Sequence, residues 1–304
     1  MSSPPETLVR TSEPPRLRLG HRLRELFRHR EVLVNLIRKE TKVKYTSSVL
    51  GVAWSMLNPV LYLLVFYVVF TFFLPSGISN FVVYLLAGIV PWTLFSTGLQ
   101  GATGSVVANG PLVTKVAFPR EILPLSAIGA AVVNFGYQSL VLLAALLVFT
   151  YPFLGPALVL VPLAVVVLLV FVTAVGLATS AFNVRYRDTQ HLVDLALLAW
   201  FWVTPIVYQG PKLVAENLGA RAVQLYLLNP MANVVLAFQR ALYGGTSRLA
   251  LYGDPARGIE PALPDPGIAW YAGRLAAVGA VSLLLLYLTW RAFYRMSGDF
   301  AEEL

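Results

Sequence analysis

The 304-residue chain is 57% hydrophobic and only 12% charged, with a mean hydropathy of +0.70, where a soluble domain carries about 25% charged residues. This excludes an ordinary soluble globule and predicts an all-α membrane protein with several spanning helices. The net charge is +8, and 11 of the 23 Lys and Arg fall in residues 1–50. No Cys is present, which excludes disulfides and cysteine-based metal or redox chemistry. The three His (His21, His29, His191) are too scattered for a ligand cluster, so no metal is expected. The basic excess reads as a head facing anionic lipid. It lacks the basic-aromatic module of a nucleic-acid binder, and no such partner is expected.

Residues 1–19, rich in Pro, Ser, Thr and Arg, read as a disordered cytoplasmic tail. Over 20–45 the character changes. Leu23, Leu26, Phe27, Leu33, Val34 and Ile37 recur at helical spacing among Arg22, Arg24, Arg28, Arg38 and Lys39. That is a basic amphipathic helix lying at the membrane surface, or packed on a partner domain. The spanning domain follows over 46–295. Gly51–Phe73 holds no charged residue, enough for one crossing of about 20 residues. With Arg38, Lys39, Lys42 and Lys44 just before it, the N-terminus is expected inside. No cleavable signal peptide is expected, since the first apolar run starts some 50 residues in and is too long for one.

A second span is expected over about 81–105, bent at Pro91 and lined by small residues (Gly98, Gly101, Gly104, Ser105) that permit close helix contact. A turn near Asn109-Gly110-Pro111 leads to PLVTKVAFPRE. There Pro119 suits the first turn of a new helix and Glu121 suits its dipole. Ile122–Val184 is uncharged over 63 residues and holds two spans, about 122–149 and 156–182, split at TYPFLGP. NVRYRD (183–188) is a compact basic turn before a fifth span at about 192–208.

Residues 209–268 mix charges with Pro and Gly. Within them Asn229-Pro230 reads as a helix cap followed by Pro in the first turn. The apolar run that follows carries Gln239 and Arg240 and is too short to span. It is expected as a re-entrant or interfacial helix on the outer side. The last span is expected over 269–290, and 296–304 is a cytoplasmic tail. This six-span arrangement places 17 of the 23 basic residues inside, and both short outer turns (74–79, 150–156) have none.

The span interiors lack the carboxylates or His of an ion-coupled carrier. Glu121, Asp188 and Asp194 are expected at the inner edge, as caps or ion-pair partners. No G-x-x-x-x-G-K-[ST] loop occurs, so energy for uphill movement must come from a partner. A membrane-embedded glycosyl or acyl transferase is the alternative. Its candidate acids (Glu216, Asp254, Glu260, Asp265) sit in a segment that also reads as a solvated loop. The spans do offer aromatic rings. Tyr62, Phe66 and Phe70 fall four apart on the first span with Tyr67 beside them, and Trp200 and Phe201 lie at the same depth on the fifth. Rings placed so form either a lipid-facing belt or a conduit on which sugar faces slide.

KYTSSVLGVAWSMLNP, LVTKVAFPREILPLS, NVRYRD and LLNPMANVVLAFQRALYG together resemble permease subunits of ABC exporters for cell-surface polysaccharides. These are the O-antigen, capsule and teichoic-acid exporters (Wzm-like, TagG-like). The likeness runs in order from about residue 20 to the C-terminus. It implies a homodimer in the bacterial inner membrane, paired with two copies of a separate ATPase that binds the ATP, so this chain needs no cofactor of its own. The implied cargo is a lipid-linked polysaccharide, and another amphiphile stays open as an alternative. A short coupling helix is implied within Ser105–Arg120, with Asn109, Leu112 and Lys115, and a second contact at Arg185, Arg187 and Asp188. Outer gate helices are implied over about 212–244, including Asn229, Pro230, Gln239 and Arg240. The resemblance also lines the conduit with the first and fifth spans. Arg outnumbers Lys 18 to 5, which fits a GC-rich bacterium and makes a lipid-linked galactan one candidate cargo.

Overall fold

A computed structural model describes residues 19–45, 57, 60–61, 64–66, 68–69, 73, 78–116, 118–148, 154–244, 254, 263–264 and 266–304, and its elements are helices. The amphipathic stretch forms α1 (Leu19–Arg28) and α2 (Arg30–Tyr45). It is two helices rather than one. They meet at His29, whose ring Nδ1 lies 2.9 Å from the Glu25 carbonyl, so a side chain competes there for a helix acceptor. Among the described residues, four helices are long and apolar enough to cross a membrane: α3 (Phe81–Ala108), α5 (Ile122–Val148), a single 3₁₀ turn (Pro156–Val159) running into α6 (Leu160–Arg185), and α11 (Ile268–Met296). The expected first span lies largely outside the described residues.

The expected fifth span is shorter than the sequence suggests. It is α7 (Thr189–Val203), 15 residues, or roughly 22 Å at 1.5 Å per residue, below the ~30 Å of a hydrocarbon core. Pro205 explains the stop. The residue before a proline is pushed to extended backbone, and Thr204 has φ −102° and ψ 137°. The carbonyls left over are taken by side chains. Val203 O accepts from Asn229, Pro205 O from Gln239 at 2.9 Å, and Tyr208 O from Tyr84 Oη at 2.8 Å. Broken backbone at membrane depth needs such partners.

After this break come α8 (Gly210–Leu218), α9 (Ala220–Tyr226) and α10 (Pro230–Leu242). Every residue of α10 from Met231 to Leu242 is buried. The helix does not lie on the surface as an interfacial helix would. It is enclosed by α3, α6, α11 and the 3₁₀ turn. Asn229 does cap it, accepting from Met231 N at 3.0 Å. The loop after α3 holds α4 (Gly110–Lys115), and the C-terminal residues end in α12 (Phe300–Glu303). Pro119 precedes helix α5 by three residues, and Pro124 stands in its first turn instead.

Among the described residues, two apolar clusters organise these helices. The larger joins α3, α5, α6, α7, α10 and α11. The smaller gathers Leu36 of α2, Val113 of α4, Ile122 of α5, Val184 of α6, Phe293 of α11 and Phe300 of α12 at one end, called basal here. Between them α3 crosses α6 closely. Gly176 and Ala102 face each other, with Thr103 and Thr179 hydroxyls 2.7 Å apart. A Cβ at Gly176 would stand 2.9 Å from that of Ala102. Gly176→Leu should therefore push the helices apart and cost about 1–3 kcal/mol, read as a lower melting temperature of the detergent-solubilised chain. An unchanged melting temperature would show that the crossing is looser than this.

Candidate functional site

One face of α3 repeats Ile89, Trp92, Thr93, Ser96, Thr97 and Gln100 at three- and four-residue spacing, and one face of α7 repeats Asp194, Leu197, Leu198, Phe201 and Trp202. Such residues stack along a helix. With Phe66 they line a cleft of about 450 Å³. Its composition changes along its length. Phe201 stands at the far end, its ring 6.2 Å from Phe66 and nearly parallel, 5.6 Å from Trp92 and 5.5 Å from Trp202, both edge-on. Toward the basal end the lining turns polar, and Gln100 Nε2 donates to Asp194 Oδ1 at 2.8 Å. From Gln100 to Ile89 the run is roughly 16 Å.

Of the ring residues expected to form a conduit, Phe66 and Phe201 line this cleft. Tyr62, Tyr67 and Phe70 lie outside the described residues. Trp200 turns the other way. Its ring packs 5.1 Å from Phe95 and 6.0 Å from Phe171, and its Nε1 donates to Asn229 Oδ1 at 2.8 Å. Trp92, Trp202 and the Gln100–Asp194 pair replace it in the cleft. The combined period of acid and aromatic on α7 could have pointed to them. Asp194, expected as an edge cap or ion-pair partner, is instead hydrogen-bonded in the cleft.

The outer-segment residues sit behind the cleft. Asn229 also donates to Thr204 Oγ1 at 3.3 Å, so one side chain caps α10 and holds both Trp200 and the end of α7. Gly88 makes room for this: a Cβ there would meet Gln239 Nε2 at 3.1 Å and Ile206 Cα at 3.3 Å. Pro230 opens α10, and Arg240 is buried and donates to the Gly244 carbonyl.

At the basal end the expected coupling residues divide. Lys115, Arg187 and Asp188 are exposed. Ser105 bonds back to its own helix at 2.7 Å, and Asn109 donates to Ser105 O while accepting from Lys39 Nζ at 3.0 Å. Leu112 packs on the basal cluster. Arg120 lies 5.9 Å over the Phe300 ring and donates to Gly298 O at 3.5 Å. Partial burial lowers its guanidinium from its ordinary value, while Asp299 and Glu121 oppose the shift. Arg185 pairs with Glu303 at 3.7 Å. Beneath them Glu121 is fully buried. Its Oε1 lies 3.4 Å from Arg22 Nε and accepts from Trp290 Nε1 at 3.2 Å. Arg22 also donates to Glu25, a contact that lowers the Glu25 carboxyl from its ordinary value while burial opposes, and stacks 4.3 Å from the Tyr294 ring. The sequence placed Glu121 as a cap or ion-pair partner, and the structure supplies the pair.

Residues 31–243 match the family model for the ABC-2 type transporter membrane protein. The chain belongs to that family. It is a transporter subunit rather than an enzyme. It is 33% identical over 282 residues, 93% of this chain and 98% of the relative, to the O-antigen export system permease protein RfbA of Myxococcus xanthus. Two Klebsiella pneumoniae proteins of the same name are 30% and 28% identical, over 71% and 75% of this chain and 82% and 85% of their own lengths.

The permease should depend on its buried charge pair. Removing one partner of such a pair leaves the other uncompensated, and the ~3–5 kcal/mol typical of that loss falls toward ~3 here because Arg22 keeps 17% exposure. Glu121→Gln and Arg22→Met are each expected to lower stability, and the double variant to cost less than their sum by at least about 1 kcal/mol. Additive losses in chemical unfolding would show that the two side chains do not interact.

Proposed function

We propose that this permease is the transmembrane subunit of an ATP-driven exporter carrying a lipid-linked cell-envelope polysaccharide across the bacterial inner membrane. The observation that carries the reading is the cleft, with aromatic faces at one end and hydroxyls, an amide and a carboxylate at the other. Apolar faces with a few polar groups suit a long chain of sugars. The relatives' names point to O-antigen. A lipid-linked galactan is one cargo of the same kind.

The basal end is then cytoplasmic, with both described termini on that side, as the basic head and basic turns favour. Leu23 and Phe27 of α1 are exposed at 54% and 68% and dip into the membrane surface. Two copies of this chain pair with two copies of an ATPase subunit. Lys115, Arg187 and Asp188 offer the exposed charges for docking, on a floor braced by Arg120 and Arg185. Leu192 and Leu195, exposed on α7 outside the cleft, offer apolar surface to the second copy. α8–α10, with Asn229, Pro230, Gln239 and Arg240, act as the outer gate, and Asn229 and Gln239 join it to the end of α7.

Two outcomes are expected. Purified alone, the chain hydrolyses no ATP, and activity appears only on co-expression with its ATPase. Robust hydrolysis by the isolated chain would return the embedded-enzyme reading. In the assembled complex, Phe201→Ala with Trp202→Ala lowers export of the lipid-linked polymer about tenfold per complex. Trp200→Ala instead lowers the yield of assembled complex, since truncating a packed aromatic costs ~3–5 kcal/mol. Normal export per complex in the double variant would leave those rings a lipid-facing belt.

A further inference from the structure

The hydrogen-bonding polarity of the cleft selects its cargo more narrowly. In its polar half, Thr93 Oγ1 donates to Ile89 O at 2.8 Å, Thr97 Oγ1 to Thr93 O at 2.6 Å and Ser96 Oγ to Thr93 O at 3.4 Å. These hydroxyl protons are spent on the helix's own carbonyls, so the oxygens present lone pairs to the cleft. Gln100 spends one of its two amide protons on Asp194. Left facing the opening are the second carboxylate oxygen of Asp194 and the Gln100 carbonyl, both without a hydrogen-bond partner among the described residues. The surface therefore offers many acceptors, few donors and one negative charge. No Lys or Arg stands among the described lining residues, and Gly51–Phe73, the stretch that supplies Phe66, contains none. A carboxylate at this depth also marks a water-filled path rather than a lipid-facing surface.

Resting on the polysaccharide reading above, we infer that Gln100 and Asp194 are specificity-determining residues that accept vicinal sugar hydroxyls and reject acidic sugars. A neutral or amino sugar brings the donors this surface lacks. A uronate or phosphate brings a second negative charge into a site with no cation to meet it, and like charges disfavour such binding. The rings beyond are indifferent to charge, so discrimination sits at the polar end, where the glycan enters from the cytoplasm.

The test uses the complete complex with its ATPase, in lipid nanodiscs, and two probes of equal length: a neutral hexose oligomer and a uronic acid oligomer. Quenching of tryptophan fluorescence, to which Trp92 and Trp202 contribute, reports binding. The wild-type complex is expected to bind the neutral oligomer at least tenfold more tightly. Asp194→Asn should cut that ratio at least fivefold by admitting the uronate, Gln100→Leu should weaken the neutral oligomer about threefold, and Gln100→Glu should widen the ratio. Binding of neither probe to the wild type would overturn the polysaccharide cleft itself. Equal binding of both, or a ratio unmoved by Asp194→Asn and Gln100→Glu, would overturn the selectivity while leaving the cleft as a glycan path.

Discussion

A carboxylate with no exposure to solvent must be met by a cation or by donors, and Glu121 is met by both. Its partners come from far apart in the chain: Arg22 from α1 and Trp290 from α11. The cost of stranding that charge fixes where the amphipathic head, the α4–α5 loop and the foot of the last span sit relative to one another. The apolar cluster around Leu36, Val113, Phe293 and Phe300 fills the space between them. Lys39 on Asn109 and Ile37 under Gly129 pin α2 along the same floor. The α4–α5 loop is therefore not a free loop. It is one face of a braced block, and a force on α4 is shared with the N-terminal helices.

The opposite end obeys a different constraint. There the problem is backbone. α7 stops at Thr204-Pro205, and the exposed carbonyls must find partners inside the protein. Asn229, Gln239 and Tyr84 supply them, and they belong to α3 and the outer segment. Of the polar side chains of α10, which look out of place in an apolar run, Gln239 is spent on this break, while Asn233 and Arg240 bond carbonyls at the two ends of α10 itself. Trp200 is drawn in by the same arrangement, because Asn229 accepts its indole N–H. Phe201 and Trp202 are thereby left to form the cleft wall.

Much of this was legible in the sequence, and the limits have physical causes. The positions of α3, α5 and α6 follow from uncharged apolar runs and that of α11 from an apolar run interrupted by Arg274, and the helix ends lie within a few residues of the expected ones except for α11, which runs six residues past 290. The Asn229 cap was readable because Asn-Pro before an apolar run has one common use. The length of α7 was not, since hydropathy is blind to the effect of Pro205 on the residue before it. The roles of Trp200 and Trp202 could not be separated by composition either. Residues two apart on a helix are turned about 200° from one another, so one faces the core and the other the cleft. Nor could spacing reveal that Asn109 and Arg120 are spent within the fold, because Lys39 and Gly298 are distant from them in sequence.

The enclosure of α10 bears on how the protein is made. α3 carries no charged residue along its 28 residues, so it can rest in lipid before its neighbours arrive. α10 cannot. At 13 residues with Gln239 and Arg240 fully inside, it has no stable residence in a bilayer on its own, and its lid, α11, is synthesised after it. It must wait near the membrane surface until the last span inserts, and only then be drawn into the bundle. Biogenesis of this permease thus has a natural final step, and the outer segment is where a defective copy would expose polar groups to lipid and be recognised by membrane quality control.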